Sequence, residues 1–260
     1  MGVAAERDFV EHMTWDAVAR RIGAGAAAIL PVGAGSKQHG LHLPLNTDRI
    51  QAEYLAKRLA AQIDALIWPT LGYGHYPAFV EYAGSTSLSA ATFENVVTEI
   101  ASGILRHGCR ALIVLDTGIS TRAPIERALE RVAFANLRHI RIHDGPRYRR
   151  AAQDLAEQRL GSHADELETS LMLAIAPDLV DMARAEASPA IERAMPGRLT
   201  PVDKASPNYS RSGSFGDPTL ATREKGDILL GAMVDDITAQ AEDFLTGLAR
   251  AAATARGAAS

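Results

Sequence analysis

Residues 111–115 read Ala-Leu-Ile-Val-Leu without a polar interruption. A strand wetted on one face alternates apolar and polar side chains, so an unbroken apolar run is built to be buried on both faces, which in a soluble chain means a parallel sheet covered by helices. The surrounding pattern agrees. Ser89 suits the cap of a helix running to Arg106, just before the strand, and Pro124 suits the first turn of a helix running to about 135 after it. Further strands are expected at 27–33, 65–69 and 138–143. Thr14 precedes a helical stretch to about 22. Asp48 begins or caps another, in which Ile50, Tyr54, Leu55 and Leu59 share a face. Residues 163–176 carry Leu167, Leu171 and Ile175 at a spacing of four, and a long last helix is expected from 224 to about 251. This alternation predicts an α/β fold, three-layer α/β/α with a mainly parallel central sheet, as a single domain over 1–260 whose tail frays from about 252. Residues 186–222 are rich in Pro, Ser and Gly and read as an excursion over the surface or onto a neighbouring subunit.

Bulk composition excludes several classes of function. The 260 residues are 47% hydrophobic and 22% charged, enough apolar surface for a sizeable core. A formal charge of −4, spread along the chain, gives no electrostatic case for nucleic acid or an anionic membrane as partner. Cys109 is the only cysteine and follows a glycine before a buried strand, so it reads as an inert core thiol. With no secretory signal and no apolar run near 18 residues, the expected compartment is a reducing cytoplasm.

Ligands of open parallel sheets bind beyond the carboxyl ends of the strands, and there this chain keeps its chemistry. Segments 37–48, 72–87, 116–121 and 162–168 converge on that edge. The first supplies His39, His42 and Asp48. The last supplies His163 and Glu166, three apart on one helix face, with Glu168 displaced from it. Imidazole and carboxylate are the ligands of zinc and similar first-row ions, and an open position on such an ion makes hydroxide available near neutral pH. Competing readings exist for each residue. Asp48 could simply cap a helix, Glu166 could be a solvated carboxylate favoured by the helix dipole, and His75 could pack a loop or touch substrate. His12, His107, His139 and His143 read as surface or hydrogen-bonding residues. Lys37 stands beside the metal loop, where a cation repels a metal.

Several stretches resemble the creatininase (creatinine amidohydrolase) family. Leu-Pro-Val-Gly-Ala at 30–34, Gln-His-Gly at 38–40 and Asp48 are similar to its first metal motif, and Gly-Ser-Thr-Ser-Leu at 84–88 to its Phe-Pro-Gly-Thr-x-Ser-Leu segment. Arg-His-Gly at 106–108, His-Ala-Asp-Glu-Leu-Glu-Thr-Ser at 163–170 and Ala-Thr-Arg-Glu-Lys-Gly at 221–226 match in the same order. The resemblance implies an oligomer, commonly a hexamer, and hydrolysis of amide or cyclic-amide C–N bonds at a two-metal centre. It places His39 on one metal, Asp48 on the carboxylate bridging both, Glu166 on the acid completing the first metal, and His163 near the substrate.

The departures from that pattern are as informative. The family's Gly-x-x-Glu-Gln-His-Gly has one residue more here, with Lys37 where the ligand glutamate stands; its Asn-Gly-His becomes Asp116-Thr117-Gly118, and Ser120 replaces a glutamate found in creatininase itself. A lysine ammonium is a compact unit charge that can take the electrostatic place of a missing ion. The expectation is therefore one divalent metal ion rather than two, zinc first, with manganese or iron accepted by the same ligands, held by His39, Asp48 and Glu166. Lys37 and His163 would be catalytic, and His75, Asp116 and Thr117 would line the pocket of a small amide. A catalytically silent small-molecule-binding or scaffold subunit is the alternative, and metal-free lysine chemistry at Lys37 a third.

Overall fold

The computed structural model describes residues 5–257 apart from 133, 135 and 193. Four strands, β1 (Ala27–Val32), β2 (Ala65–Ile67), β3 (Leu112–Asp116) and β4 (Leu137–Arg141), form one sheet in the order β2-β1-β3-β4. All pairings are parallel, with Ile29 opposite both Ile67 and Ile113. Successive side chains of a strand point to opposite faces, and the apolar runs feed two cores in this way. Ile29, Ile67, Ile113 and Leu115 pack with Leu55 and Leu59 on one face. Leu30, Leu66, Leu112 and Val114 pack with Phe93, Val97 and Ile125 on the other.

The first face is covered by α2 (Thr47–Ala60), α5 (Pro146–Leu155), α6 (Glu166–Ile175) and α7 (Arg223–Gly257). The second is covered by α1 (Trp15–Gly23), α3 (Ala90–Arg106) and α4 (Arg122–Val132). Burying each such Leu, Ile or Phe contributes about 1.5–3 kcal/mol, so the sheet's double-sided burial dominates its stability. The three-layer α/β/α arrangement is the expected one. Among the described residues no helix is long and apolar enough to cross a membrane.

Several local expectations change. The helix expected from 163 starts at Glu166, because the Asp165 carboxylate accepts the N–H groups of Leu167 and Glu168 as its cap. His163 instead bridges to Phe215 from a loop, with Ala164 at φ 47°. Asn46, not Asp48, precedes α2, which leaves the Asp48 side chain free for the site. α4 spans 122–132, and its expected end at 135 lies outside the described residues. α5 escaped the sequence reading since Arg147, Arg149 and Arg150 dilute its apolar stripe of Tyr148, Ala151, Ala152 and Leu155. α7 runs on through the alanine-rich residues beyond 252 to Gly257, and 258–260 lie outside the described residues.

The 186–222 excursion folds back over this same subunit. The Gln38 amide donates to Gly213 O, Tyr82 Oη–H donates to Ser210 O, and Leu199 N–H donates to Ala78 O. It roofs the carboxyl edge of the sheet.

Candidate metal and active site

The site begins at the carboxyl end of β1. A Cβ on Gly33 would stand 2.4 Å from Asp48 O, so only glycine lets the first turn of α2 approach the strand end this closely. That approach delivers Asp48 beside the loop carrying Lys37 and His39. His39 Nδ1 lies 2.8 Å from Lys37 O, and His163 Nε2 lies 2.8 Å from Gln38 O. A carbonyl can only accept, so each of these nitrogens carries the hydrogen and donates it, which assigns the tautomers. The other nitrogens then present lone pairs toward acids: His39 Nε2 is 3.2 Å from Asp48 Oδ1 and 3.6 Å from Glu168 Oε1, and His163 Nδ1 is 3.6 Å from Glu168 Oε2.

Lone pairs facing carboxylates repel unless a cation lies between them. Donor atoms of His39, His163 and Glu168 all fall within 4.8 Å of one another, with Asp48 alongside. Both imidazoles are aimed by their second nitrogen on a backbone carbonyl, the support that metal-ligating histidines ordinarily have. These residues fit a divalent ion.

The electrostatics keep the donors in ligating form. Burial pushes His163 down to about 3, the nearby Glu168 opposing and Lys37 and His39 reinforcing, so its imidazole is neutral. Burial disfavours the charged form of Glu168, yet positive charge around it, Lys37 included, holds the carboxyl below its usual range. For Asp48, burial is overcome above all by Lys37, and its carboxyl is held far below the usual range. Lys37 Nζ is 2.7 Å from Asp48 Oδ2, the oxygen not facing His39. Its ammonium also lies 4.9 Å from the Phe79 ring centroid and 5.8 Å from that of Tyr76.

Not every expected site residue is gathered here. Glu166 is fully buried, but its carboxylate accepts the N–H groups of Glu157 and Gln158 and pairs with Lys225 Nζ at 2.5 Å. The acid that meets the histidines is Glu168, whose Oε2 also accepts Ala164 N–H. The displaced helix start explains the exchange: with His163 outside α6, helical spacing from it no longer selects 166. Asp116 lies at the strand end without lining the pocket, because its Oδ1 accepts Gly118 N–H and Thr121 Oγ1–H and its Oδ2 faces His139 Nε2 at 3.2 Å. Thr117 does line the pocket, its hydroxyl donating to Val32 O. His75 packs the loop through Nδ1 to Leu88 O, and the adjacent Tyr76 takes the pocket position. His42 bonds Thr169 through Nε2, burial pushing it down to about 4. Cys109 is buried, and its thiol is pushed up by that burial.

A cavity of about 470 Å³ opens beside the donors, walled by Tyr76, Phe79, Ile119, Leu167 and Leu199 and carrying Arg122 and His143. Sequence reasoning missed the last two and Glu168. The carboxyl-end rule applied to β4 would have found His143, and the matched His163–Ser170 stretch contained Glu168. Positions 118 and 120 offer no metal-ligating side chain. A Cβ at Gly118 would meet Thr121 Oγ1 at 2.3 Å, and Ser120 Oγ–H donates to His75 O.

Residues 11–241 match the creatininase family, described as creatinine amidohydrolase. Creatinine amidohydrolase of Pseudomonas putida is 32% identical over 257 residues, covering 88% of this chain and 94% of its own length. The chain belongs to the creatininase family. It is a hydrolase of amide-type C–N bonds, in a family whose chemistry depends on metal. A mycofactocin precursor peptide peptidase of Mycolicibacterium smegmatis is 28% identical over 219 residues, covering 80% of this chain and 81% of its own. A solved creatinine amidohydrolase (creatininase) superposes with a TM-score of 0.80 at 29% identity, covering 91% of this chain and 98% of that one. A second solved structure, described as creatininase with Mn, gives the same TM-score at 30% identity. The creatininase fold thus frames the cluster described above.

Proposed function

We propose that this creatininase-family chain is an amide hydrolase working with one divalent ion per subunit, zinc by the chemistry of its donors. The observation that carries the reading is the Lys37 ammonium 2.7 Å from Asp48 Oδ2. Asp48 turns one oxygen to the histidine cluster and the other to this ammonium, so a protein cation stands where a second ion would need to bind. His39 Nε2, Asp48 Oδ1 and Glu168 would hold the metal, with the neutral Nδ1 of His163 completing the set. When bound, such an ion supplies Lewis-acid activation of water and carbonyl.

The chain's own groups do the rest. Lys37, on the cavity wall and fixed by Asp48, can donate a hydrogen bond to an oxyanion developing on the carbonyl. Its position between the Phe79 and Tyr76 rings keeps water from screening that charge. His163 keeps its N–H on Gln38 O and serves as a ligand, not a proton carrier. The substrate is a small amide. A homo-oligomer, a hexamer by family analogy, in a reducing cytoplasm is the setting that the family habit and the single buried thiol support. Metal analysis of protein purified without chelator tests the reading: one ion per subunit is expected, with activity lost on chelation. Two tightly held ions would overturn it.

A further inference from the structure

Besides the metal donors, the cavity wall includes the turn after β3, the first residue of α4 and the loop after β4. This wall carries a guanidinium that is poorly neutralised. Arg122 Nη2 is 3.4 Å from Asp144 Oδ1, while Asp144 is held more closely by Arg141 Nε at 2.7 Å. The other contact of Arg122, from Nε to Gly118 O, is also long at 3.3 Å. A guanidinium has five N–H donors in a fork matched to carboxylate, so most of the recognition capacity of Arg122 is unspent.

His143 lines the same cavity. Its ring stands edge-on to Tyr148 with centroids 5.4 Å apart, and among the described residues it makes no side-chain hydrogen bond. A polar edge facing a cavity without a partner is available to a ligand acceptor. Charge favours an anion at this end. The cavity's acids, Asp48, Glu168 and Asp165, are all engaged, by Lys37 and His39, by the histidine cluster, and by the N–H groups of α6 respectively. The same cavity is also lined by the apolar side chains of Phe79, Ile119 and Leu199. A space of about 470 Å³ also exceeds what a single small ring needs.

Resting on the hydrolase reading above, we propose that the substrate is a carboxylate-bearing amide of the N-acyl amino acid type: its carboxylate pairs with Arg122, His143 donates to the same group, and its apolar part lies against Phe79, Ile119 and Leu199. Hydrolysis would break the acyl C–N bond and form a C–O bond from water, the leaving nitrogen taking the water's proton.

Calorimetric binding of N-acetyl-phenylalanine and of its uncharged C-terminal amide to the zinc-loaded protein tests this. The acid should bind about tenfold or more tightly than the amide, the range of a charge-assisted arginine pair. In Arg122→Leu that preference should vanish with zinc content unchanged, and Arg122→Lys, which keeps the charge, should retain part of it. The preference should also persist in zinc-free protein, which separates Arg122 from the metal as its source. Equal binding of acid and amide, binding of neither, or a preference untouched by Arg122→Leu would overturn the proposal. A protein that binds the acid through Arg122 yet hydrolyses no amide would keep the subsite and lose the hydrolase reading.

Discussion

Replacing Lys37 with methionine isolates the contribution of its cation. The ammonium lies 2.7 Å from Asp48 Oδ2, with the two side chains 9% and 5% exposed, so solvent screens the pair little. At an effective dielectric of about 20, charges at this separation attract by about 6 kcal/mol, and removing one partner of a buried pair costs about 3–5 kcal/mol. Metal-free Lys37→Met should therefore lose about 3–5 kcal/mol in urea unfolding at pH 7. The pH dependence follows from Asp48. Its folded pKa is depressed, so the stability it contributes is present above the unfolded value of about 3.9 and lost as pH falls through the folded one. Without the ammonium, burial drives the Asp48 pKa upward, the carboxyl protonates in mild acid, and the gap between variant and wild type narrows there. Zinc should stabilise the variant more than the wild type, because in the wild type ammonium and metal repel each other across one carboxylate. A deficit below about 1 kcal/mol, the value of a solvated surface pair, or one indifferent to zinc, would refute the reasoning.

Glu168→Gln should weaken zinc binding by about 10–100-fold or more in competition with a chromogenic chelator, the scale of lost metal support. Glu166→Gln, two positions earlier, should keep zinc affinity near wild type while lowering stability by roughly 1.5–3 kcal/mol through loss of its charged bond to Lys225, which keeps Glu157 and Leu220 O. Equal zinc loss in both variants would return Glu166 to the ligand set. Gly118→His combined with Lys37→Glu should still bind one ion per subunit by metal analysis, because Thr121 Oγ1 occupies the space a new Cβ needs. Adding Thr121→Gly is the change expected to open that position.

The layers of this fold were readable because their signal is repeated. The run 111–115 is apolar at position after position, and helix 47–60 shows its buried face in Leu55 and Leu59 as well as in Ala52 and Ala56. Site residues carry no such redundancy. His39 and Asp48 could be placed since one short loop holds both, and their approach depends on a single glycine at 33. Glu166 and Glu168 could not be told apart by helical spacing, because the outcome turned on where the helix starts. Asp165 decides that by accepting two N–H groups, a local competition that periodicity does not register. Arg122 was hidden for another reason: it and His143 come from different strand ends, and the adjacency of β3 and β4 brings them to one cavity.

The replacement at position 37 also has a charge logic that links the departures from the family pattern. Exchanging a ligand glutamate for lysine changes the protein's charge at the site by two units in the positive direction, the same amount that losing a divalent ion removes. On the one-metal reading proposed above, Asp48 would meet a similar field with one metal and Lys37 as with two metals and a glutamate, so a buried carboxylate of the bridging type would not need a second ion. On the same reading the other departures fit this exchange. With a single metal, as proposed, a histidine at 118 and a glutamate at 120 would be buried polar groups without a partner, costing about 1–3 kcal/mol or more each. In their place Gly118 donates its N–H to Asp116, Thr121 fills the vacated volume, and Ser120 closes onto His75 O. A hydrogen-bonded turn thus leads into Arg122 on the cavity wall, and under the two proposals made above one rearrangement would account both for a single metal and for a cationic substrate wall.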